Sequence, residues 1–230
     1  MMKKIALIYM GGTFGCVGEP LMPMPEQDFL PLLAKIIPPH LQVECFAAPS
    51  IKDSSDCTAT DWLKLIQQIQ QLQLNGFQHF VIIHGTDTLS YAAATLARFL
   101  GHSCHAIITG SQYPLLNVEG NDTREFTDAT GNLYLALEQV LTLPTGVYLA
   151  FHEQVFHAQT TLKVHTTELD AFVGVKADQS CQTTADSLVV QNEYIQQATE
   201  LSILNLMLQP IAKEQLILQL KNILLNPPNF

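Results

Sequence analysis

The stretch that most constrains what this chain can fold into runs from Phe80 to Leu100. It opens with Phe80-Val81-Ile82-Ile83, one aromatic and then β-branched residues in succession. Such a run reads as a strand buried on both faces, as in a parallel sheet. His84-Gly85-Thr86-Asp87-Thr88 follows, and Gly85 stops the strand. Asp87 or Thr88 can cap a helix that continues through the Ala-rich run Leu89 to Leu100 and ends before Gly101. Thr86, Asp87 and Thr88 are thereby left in a tight turn just past the carboxyl end of a strand, the place where open α/β sheets bind ligands.

The rest of the chain repeats this unit with short connections. Lys4 to Met10 reads as a first strand, ending in Gly11-Gly12-Thr13-Phe14-Gly15. Cys16 to Pro25 holds three prolines and no periodicity, so it is expected to be a loop over the top of the sheet. A helix is expected from Gln27 to Ile37, stopped by Pro38-Pro39, then a strand from Leu41 to Ala47 and a polar loop holding Asp53-Ser54-Ser55-Asp56. Thr60 is expected to cap a helix whose apolar face is Trp62, Leu63, Ile66, Ile69 and Leu72, ending at Asn75-Gly76. Further strands are expected at His105–Thr109 and Gly146–Phe151, with a helix around Asn132 to Leu141 between them. This alternation specifies a doubly wound α/β fold of the Rossmann or flavodoxin kind, a mostly parallel sheet with helices on both faces. Beyond Phe151 the pattern changes, with Lys163 standing among Thr161, Leu162, Val164 and His165. Short strands at Leu188–Val190 and Leu201–Leu206 and a helix from Ala212 to about Leu218 are expected there. The expected organisation is an N-terminal α/β domain over residues 1–176, a linker over 177–187, and a small α/β remnant over 188–230.

Charge and composition narrow the function. The net charge is −10 without a block of lysines or arginines, which argues against nucleic acid and anionic membrane as partners. The apolar runs are far short of a membrane span. The start, Met1-Met2-Lys3-Lys4 and a short apolar run, leads into Gly11-Gly12 with no small-residue cleavage site, so it is read as a strand rather than a signal peptide. Cys16, Cys45, Cys57, Cys104 and Cys181 are scattered, odd in number and without a C-x-x-C, as expected of reduced thiols in the cytoplasm. His84, His152, His157 and His165 show no metal-ligand spacing.

Four strand ends carry small polar residues on one edge: Thr13, the Asp53–Asp56 loop, Thr86-Asp87 and Ser111. A threonine beside an aspartate, with a lysine supplied from elsewhere, is the set needed to activate a hydroxyl nucleophile. Thr13 is a second hydroxyl, and backbone N–H groups of the glycine turns can hold a developing oxyanion. On residue chemistry alone the plainer readings stay open: Thr13 as a turn residue, Asp87 as a helix cap, Lys163 as a solvated cation.

Gly11-Gly12-Thr13, Asp53-Ser54-Ser55-Asp56, His84-Gly85-Thr86-Asp87-Thr88, Thr109-Gly110-Ser111-Gln112 and Lys163-Val164-His165 occur in an order and at spacings that resemble the bacterial L-asparaginase family, its cytoplasmic type I branch above all. The resemblance covers about Lys3 to Val173 and continues more weakly to the end. It implies hydrolysis of L-asparagine to L-aspartate and ammonia through a threonine acyl-enzyme. Thr13 would be the nucleophile on the side-chain amide. Thr86 would be a second catalytic threonine activated by Lys163, with Asp87 tying the lysine and gripping the substrate's α-amino group. Ser54 would bind the α-carboxylate, helped by Ser55 and the backbone of Gly85 and Thr86, and Ser111 would lie near the leaving amide. No metal or organic cofactor is implied, and the expected protein is a cytoplasmic homo-oligomer with a small amino-acid substrate.

The chain departs from the family pattern in three places. There is no tyrosine between Tyr9 and Tyr91, although the family carries one in the loop after its first threonine; Leu21 or a neighbour stands there. Family members have a full C-terminal α/β domain, whereas this sequence stops shortly after that domain begins. Asp128-Ala129 stands where Asp-Gly is usual. A second class of function therefore stays open, an asparaginase-like module that binds aspartate or asparagine without useful turnover. Apolar surface over Leu201–Leu225 leads to an expectation of dimers.

Overall fold

A computed structural model of the chain describes residues 3–201 and 213–225. Strand β1 (Lys4–Gly11) is buried from Ile5 onward, as a run of apolar residues without alternation demands. A 3-10 turn over Thr13–Gly15 leads into a small antiparallel hairpin, β2 (Cys16–Val17) and β3 (Met22–Pro23). Then come α1 (Glu26–Ile36), β4 (Gln42–Lys52), α2 (Ala59–Leu74), β5 (His79–Ile83), α3 (Leu89–Leu100), β6 (His105–Thr109), α4 (Ala129–Gln139), β7 (Gly146–Phe151) and β8 (Gln154–His157). The two-residue strands β9 (Leu162–Lys163) and β10 (Phe172–Val173) pair antiparallel, and α5 (Asn192–Glu200) and α6 (Lys213–Leu225) follow.

The central sheet has the order β4-β1-β5-β6-β7-β8. Its first five strands are parallel and β8 returns antiparallel along the edge. Successive residues of each strand go to opposite faces. Ala6, Ile8, Phe80, Ile82, Ala106 and Ile108 pack with α2 and α3, while Ile5, Leu7, Val81, Ile83 and Ile107 pack with α1 and α4. The doubly wound sheet with helices on both faces is the fold expected from the sequence.

From β1 the chain crosses to β4 on one side and then to β5 on the other, so the winding reverses between β1 and β5. Carboxyl ends of strands at such a reversal diverge and leave a crevice. Gly12-Thr13 leaves β1 and Gly85-Thr86 leaves β5 at this point.

Local differences from the expected elements have physical causes. Residues after Thr13 form the β2–β3 hairpin, tied down by Met24 N–H to Gly15 C=O (3.0 Å) and Gly18 N–H to Val118 C=O (3.1 Å). The cap of α2 is Thr58, not Thr60, because Asp61 three residues on closes a capping box with it. Thr88 precedes α3 without capping it through its side chain; the hydroxyl donates to Ser54 C=O instead (2.7 Å). Residues Leu188–Val190 form no strand, since Gln70 of α2 takes their backbone groups: its amide donates to Leu188 C=O (2.7 Å) and its carbonyl accepts from Val190 N–H (3.0 Å). The strand expected at Leu201–Leu206 lies outside the described residues beyond Leu201, and the helix expected from Ala212 is described as α6. The chain divides into two units, Met1–Thr199 and Glu200–Phe230. Among the described residues no helix is long and apolar enough to cross a membrane.

Candidate active site

Five segments far apart in sequence converge on the turn after β5. Gly12 and Gly85, each closing a central strand, are packed backbone to backbone: a Cβ on Gly12 would stand 2.3 Å from Gly85 Cα. Gly12 also has φ +79°, a conformation that side chains disfavour, so both freedoms of glycine are needed there. Thr13, directly after it, is the partly exposed first residue of the 3-10 turn.

Ser54 enters from the end of β4. It is buried, and its hydroxyl accepts the Asp87 N–H at 3.2 Å. A Cβ at Gly85 would meet Ser54 Oγ at 2.5 Å, so only glycine allows this approach. Ser55 is exposed and turned to its own loop, with N–H and hydroxyl donating to Asp53 Oδ1 at 2.8 and 2.7 Å.

Lys163 is brought in by the β9–β10 pair, where it faces Phe172. Phe172 is buried against the Phe151 ring, 4.8 Å between centroids, which anchors the lysine's strand to the core. The Lys163 ammonium donates to Thr86 Oγ1 (2.9 Å) and to Asp87 Oδ1 (2.9 Å). Thr86 is buried, the Lys163 side chain is 15% exposed and that of Asp87 57%. The ion pair is therefore sheltered on the threonine side and open on the carboxylate side. Thr86 donates onward to Gln112 Oε1 at 3.3 Å.

The turn after β6 supplies Ser111 and Gln112. Ser111 is buried and closes its own turn by donating to Tyr113 C=O (2.6 Å). The Gln112 amide donates to Thr166 C=O (3.1 Å) and Glu168 C=O (2.8 Å), so this side chain joins Thr86 to the loop that follows Lys163. The turn after β6 is held by Asp128, whose carboxylate accepts from the N–H groups of Gln112 and Tyr113 and from Asn132 Nδ2. Asn132, also buried, donates to Gly110 C=O (3.0 Å) and accepts from His152 N–H (2.8 Å). His84, at the end of β5, is buried, and desolvation lowers its pKa against the smaller raising effects of its bond to Gly85 and of the Asp53 and Asp61 charges.

Of the residues singled out from sequence, Thr86, Asp87, Lys163, Ser54 and Gly85 are joined by direct contacts. Thr13 stands on the adjoining turn, while Ser55 and Ser111 point into bonds of their own loops. Gln112, Asp128, Asn132 and His84 carry the support of the site and were not assigned it from sequence. Gln112 and His84 lay inside the quoted motifs, and the Asp128-Ala129 departure marked the third; nothing in the spacing marked Asn132. Among the described residues no cluster of three or more His, Cys, Asp or Glu side chains is placed to hold a metal ion.

A family model described as asparaginase, N-terminal, matches residues 4–196. The chain belongs to the asparaginase family. It is 30% identical over 188 residues to L-asparaginase 1 of Escherichia coli K12, covering 74% of this chain and 50% of that protein. It is 27% identical over 225 residues to a mouse 60 kDa lysophospholipase, covering 85% of this chain and 38% of that protein. Among solved structures it is similar to L-asparaginase I from Vibrio cholerae, with a TM-score of 0.63 and 28% identity over 76% of this chain and 52% of that one. The chain thus spans about half the length of its bacterial asparaginase relatives.

Proposed function

We propose that this chain hydrolyses the side-chain amide of L-asparagine, releasing ammonia and L-aspartate. The observation that carries this reading is the double contact of Lys163 with Thr86 and Asp87. Thr86 Oγ1 accepts from Lys163 Nζ and donates to Gln112 Oε1, so the lysine stands within proton-transfer reach of this hydroxyl, and the adjacent Asp87 carboxylate keeps the lysine in place. In the proposed roles, Thr13 attacks the amide carbon and Thr86, with Lys163, handles the proton of the reacting water or hydroxyl. Asp87, more exposed than its partner lysine, takes the substrate's α-amino group on its free oxygen. Ser54 and the backbone of Gly85 and Thr86 take the α-carboxylate, while Ser55 contributes through its loop and Ser111 shapes the wall beside the leaving amide. Ammonia leaves from the tetrahedral adduct as the Thr13 ester (the acyl-enzyme) forms, and water then hydrolyses that ester to free aspartate and restore the Thr13 hydroxyl. Work as a homo-oligomer in the cytoplasm belongs to the same proposal, on the support of family membership.

The test is ammonia release from L-asparagine by the purified full chain and by Thr86→Ala. Release by the parent and its loss in the variant bear the reading out. A second reading, an aspartate-binding module without turnover, is favoured by the hairpin after Thr13: Leu21 there is exposed and no tyrosine is present. Aspartate binding by calorimetry with no ammonia above buffer would select it.

A further inference from the structure

His84 is buried at the head of the motif, yet it is not among the groups assigned to the substrate. Both of its ring nitrogens have partners, and both partners have fixed roles. Trp62 Nε1 stands 3.1 Å from His84 Nε2, and an indole N–H can only donate. Gly85 C=O stands 2.8 Å from Nδ1, and a carbonyl can only accept. Nε2 must therefore be bare and Nδ1 must carry the proton, a single neutral tautomer. A proton added at Nε2 would face the Trp62 N–H, donor against donor. The charges of Asp53 and Asp61 favour protonation, but burial outweighs them.

The consequence falls on the next peptide. A trans peptide holds C=O and N–H on opposite sides of one plane. Fixing the Gly85 carbonyl on His84 turns the Thr86 N–H away from the imidazole. Gly85 has no side chain of its own to resist rotation, and its free choice of dihedrals makes an outside restraint necessary. We propose that His84 is a positioning residue: locked as the Nδ1–H tautomer by Trp62, it orients the Gly85–Thr86 peptide so that the Thr86 N–H donates to the carboxylate of the bound amino acid. Trp62 is then part of the site at one remove, delivered by the first turn of α2. This inference rests on the amino-acid reading of the site given above.

The chain has one tryptophan, so Trp62→Phe removes a single donor. Nitrogen NMR of the ¹⁵N-histidine protein, with His84 assigned by its loss in His84→Asn, should show the Nδ1–H form in the parent and a mixture of tautomers in Trp62→Phe. His84→Asn keeps an amide donor near the Nδ1 position, whereas His84→Leu has none, and both abandon Trp62 equally. KM for L-asparagine, or Kd for L-aspartate by calorimetry, should rise about tenfold in His84→Leu and Trp62→Phe, recover most of that in His84→Asn, and change more than kcat. An Nε2–H tautomer in the parent overturns the proposal, as do equal constants for His84→Asn and His84→Leu. If the parent releases no ammonia but binds aspartate with the stated pattern, the hydrolase reading fails and this one stands. If the tautomer is as stated but aspartate does not bind, the carboxylate role of Thr86 N–H is overturned.

Discussion

Lys163 Nζ stands 2.9 Å from Thr86 Oγ1 and 2.9 Å from Asp87 Oδ1, although 77 residues separate the lysine from the threonine. The two acceptors are neighbours in sequence on one turn, so a single cation fixes both. Replacing Lys163 by Met keeps the stem's apolar packing and removes the charge. The expected result is a fall in kcat for ammonia release of about a thousandfold, the scale of a lost proton-transfer group, with a smaller change in KM. Steady-state kinetics on L-asparagine measure it, and a kcat within tenfold of the parent would remove Lys163 from the chemistry.

Gln112 joins the Thr86 hydroxyl to the carbonyls of Thr166 and Glu168. Gln112→Leu keeps the size of the side chain and loses these bonds. A kcat about tenfold lower is expected, equal to roughly one hydrogen bond's net worth. Amide exchange over residues 164–170 should quicken in the same variant. Unaltered exchange there would show that the loop is held by other groups.

Gly12 and Gly76 both have positive φ, +79° and +90°, but only Gly12 is crowded. A Cβ on Gly12 would fall 2.3 Å from Gly85 Cα, whereas one on Gly76 meets nothing within 4 Å. Gly76→Ala should lower stability by about 1 kcal/mol, the cost of a left-handed alanine, and leave turnover as it is. Gly12→Ala should push the turns bearing Thr13 and Thr86 apart and lower kcat about a hundredfold, as a shift near 1 Å between reacting groups does. Thermal melts and kinetics on the pair separate backbone strain from displacement of the site.

At the amino ends of β5 and β6, the His79 and His105 rings stack 4.6 Å apart and nearly parallel. Burial, then His105 and Lys3, lower the His79 pKa from 6.5 to about 4. The unfolded chain therefore takes up this proton at higher pH than the folded one. The resulting stability is complete above pH 6.5 and is lost as pH falls toward 4. Melting temperature should decline across this window, and less steeply in His79→Gln. Parallel curves for parent and variant would place the acid sensitivity elsewhere.

Much of the fold was legible because burial on both faces leaves an unmistakable record in a strand. The runs Ile5–Met10, Phe80–Ile83 and Ala106–Ile108 can only be covered from above and below, which dictates helices on both sides and a parallel sheet. The glycine and hydroxyl residues at strand ends were legible as turns for the same reason. Local competition for hydrogen bonds was not. Thr58 and Thr60 are equally good caps in sequence, and only Asp61 at the right distance decides between them. Thr88 looks like a cap but finds Ser54, and Leu188–Val190 looks like a strand but finds Gln70.

The turn Gly85–Thr88 follows from sequence alone, since a buried strand that meets glycine and then a run of polar residues must end and expose them at the sheet's edge. Its alignment with Thr13 and Ser54 follows almost as directly, because parallel strands deliver all their carboxyl ends to the same side. Tertiary structure decided what the turn touches. The winding reversal between β1 and β5 set Gly12 against Gly85, and the β9–β10 pair, braced by Phe172 on Phe151, carried Lys163 to Thr86. Trp62 reached His84 because α2 packs against β4 and α3 and sets its first turn beside the carboxyl end of β5. No periodicity of the chain dictates these contacts; the motif resemblance implies the meeting of Lys163 with Thr86, and the Trp62–His84 contact arises only from the three-dimensional packing.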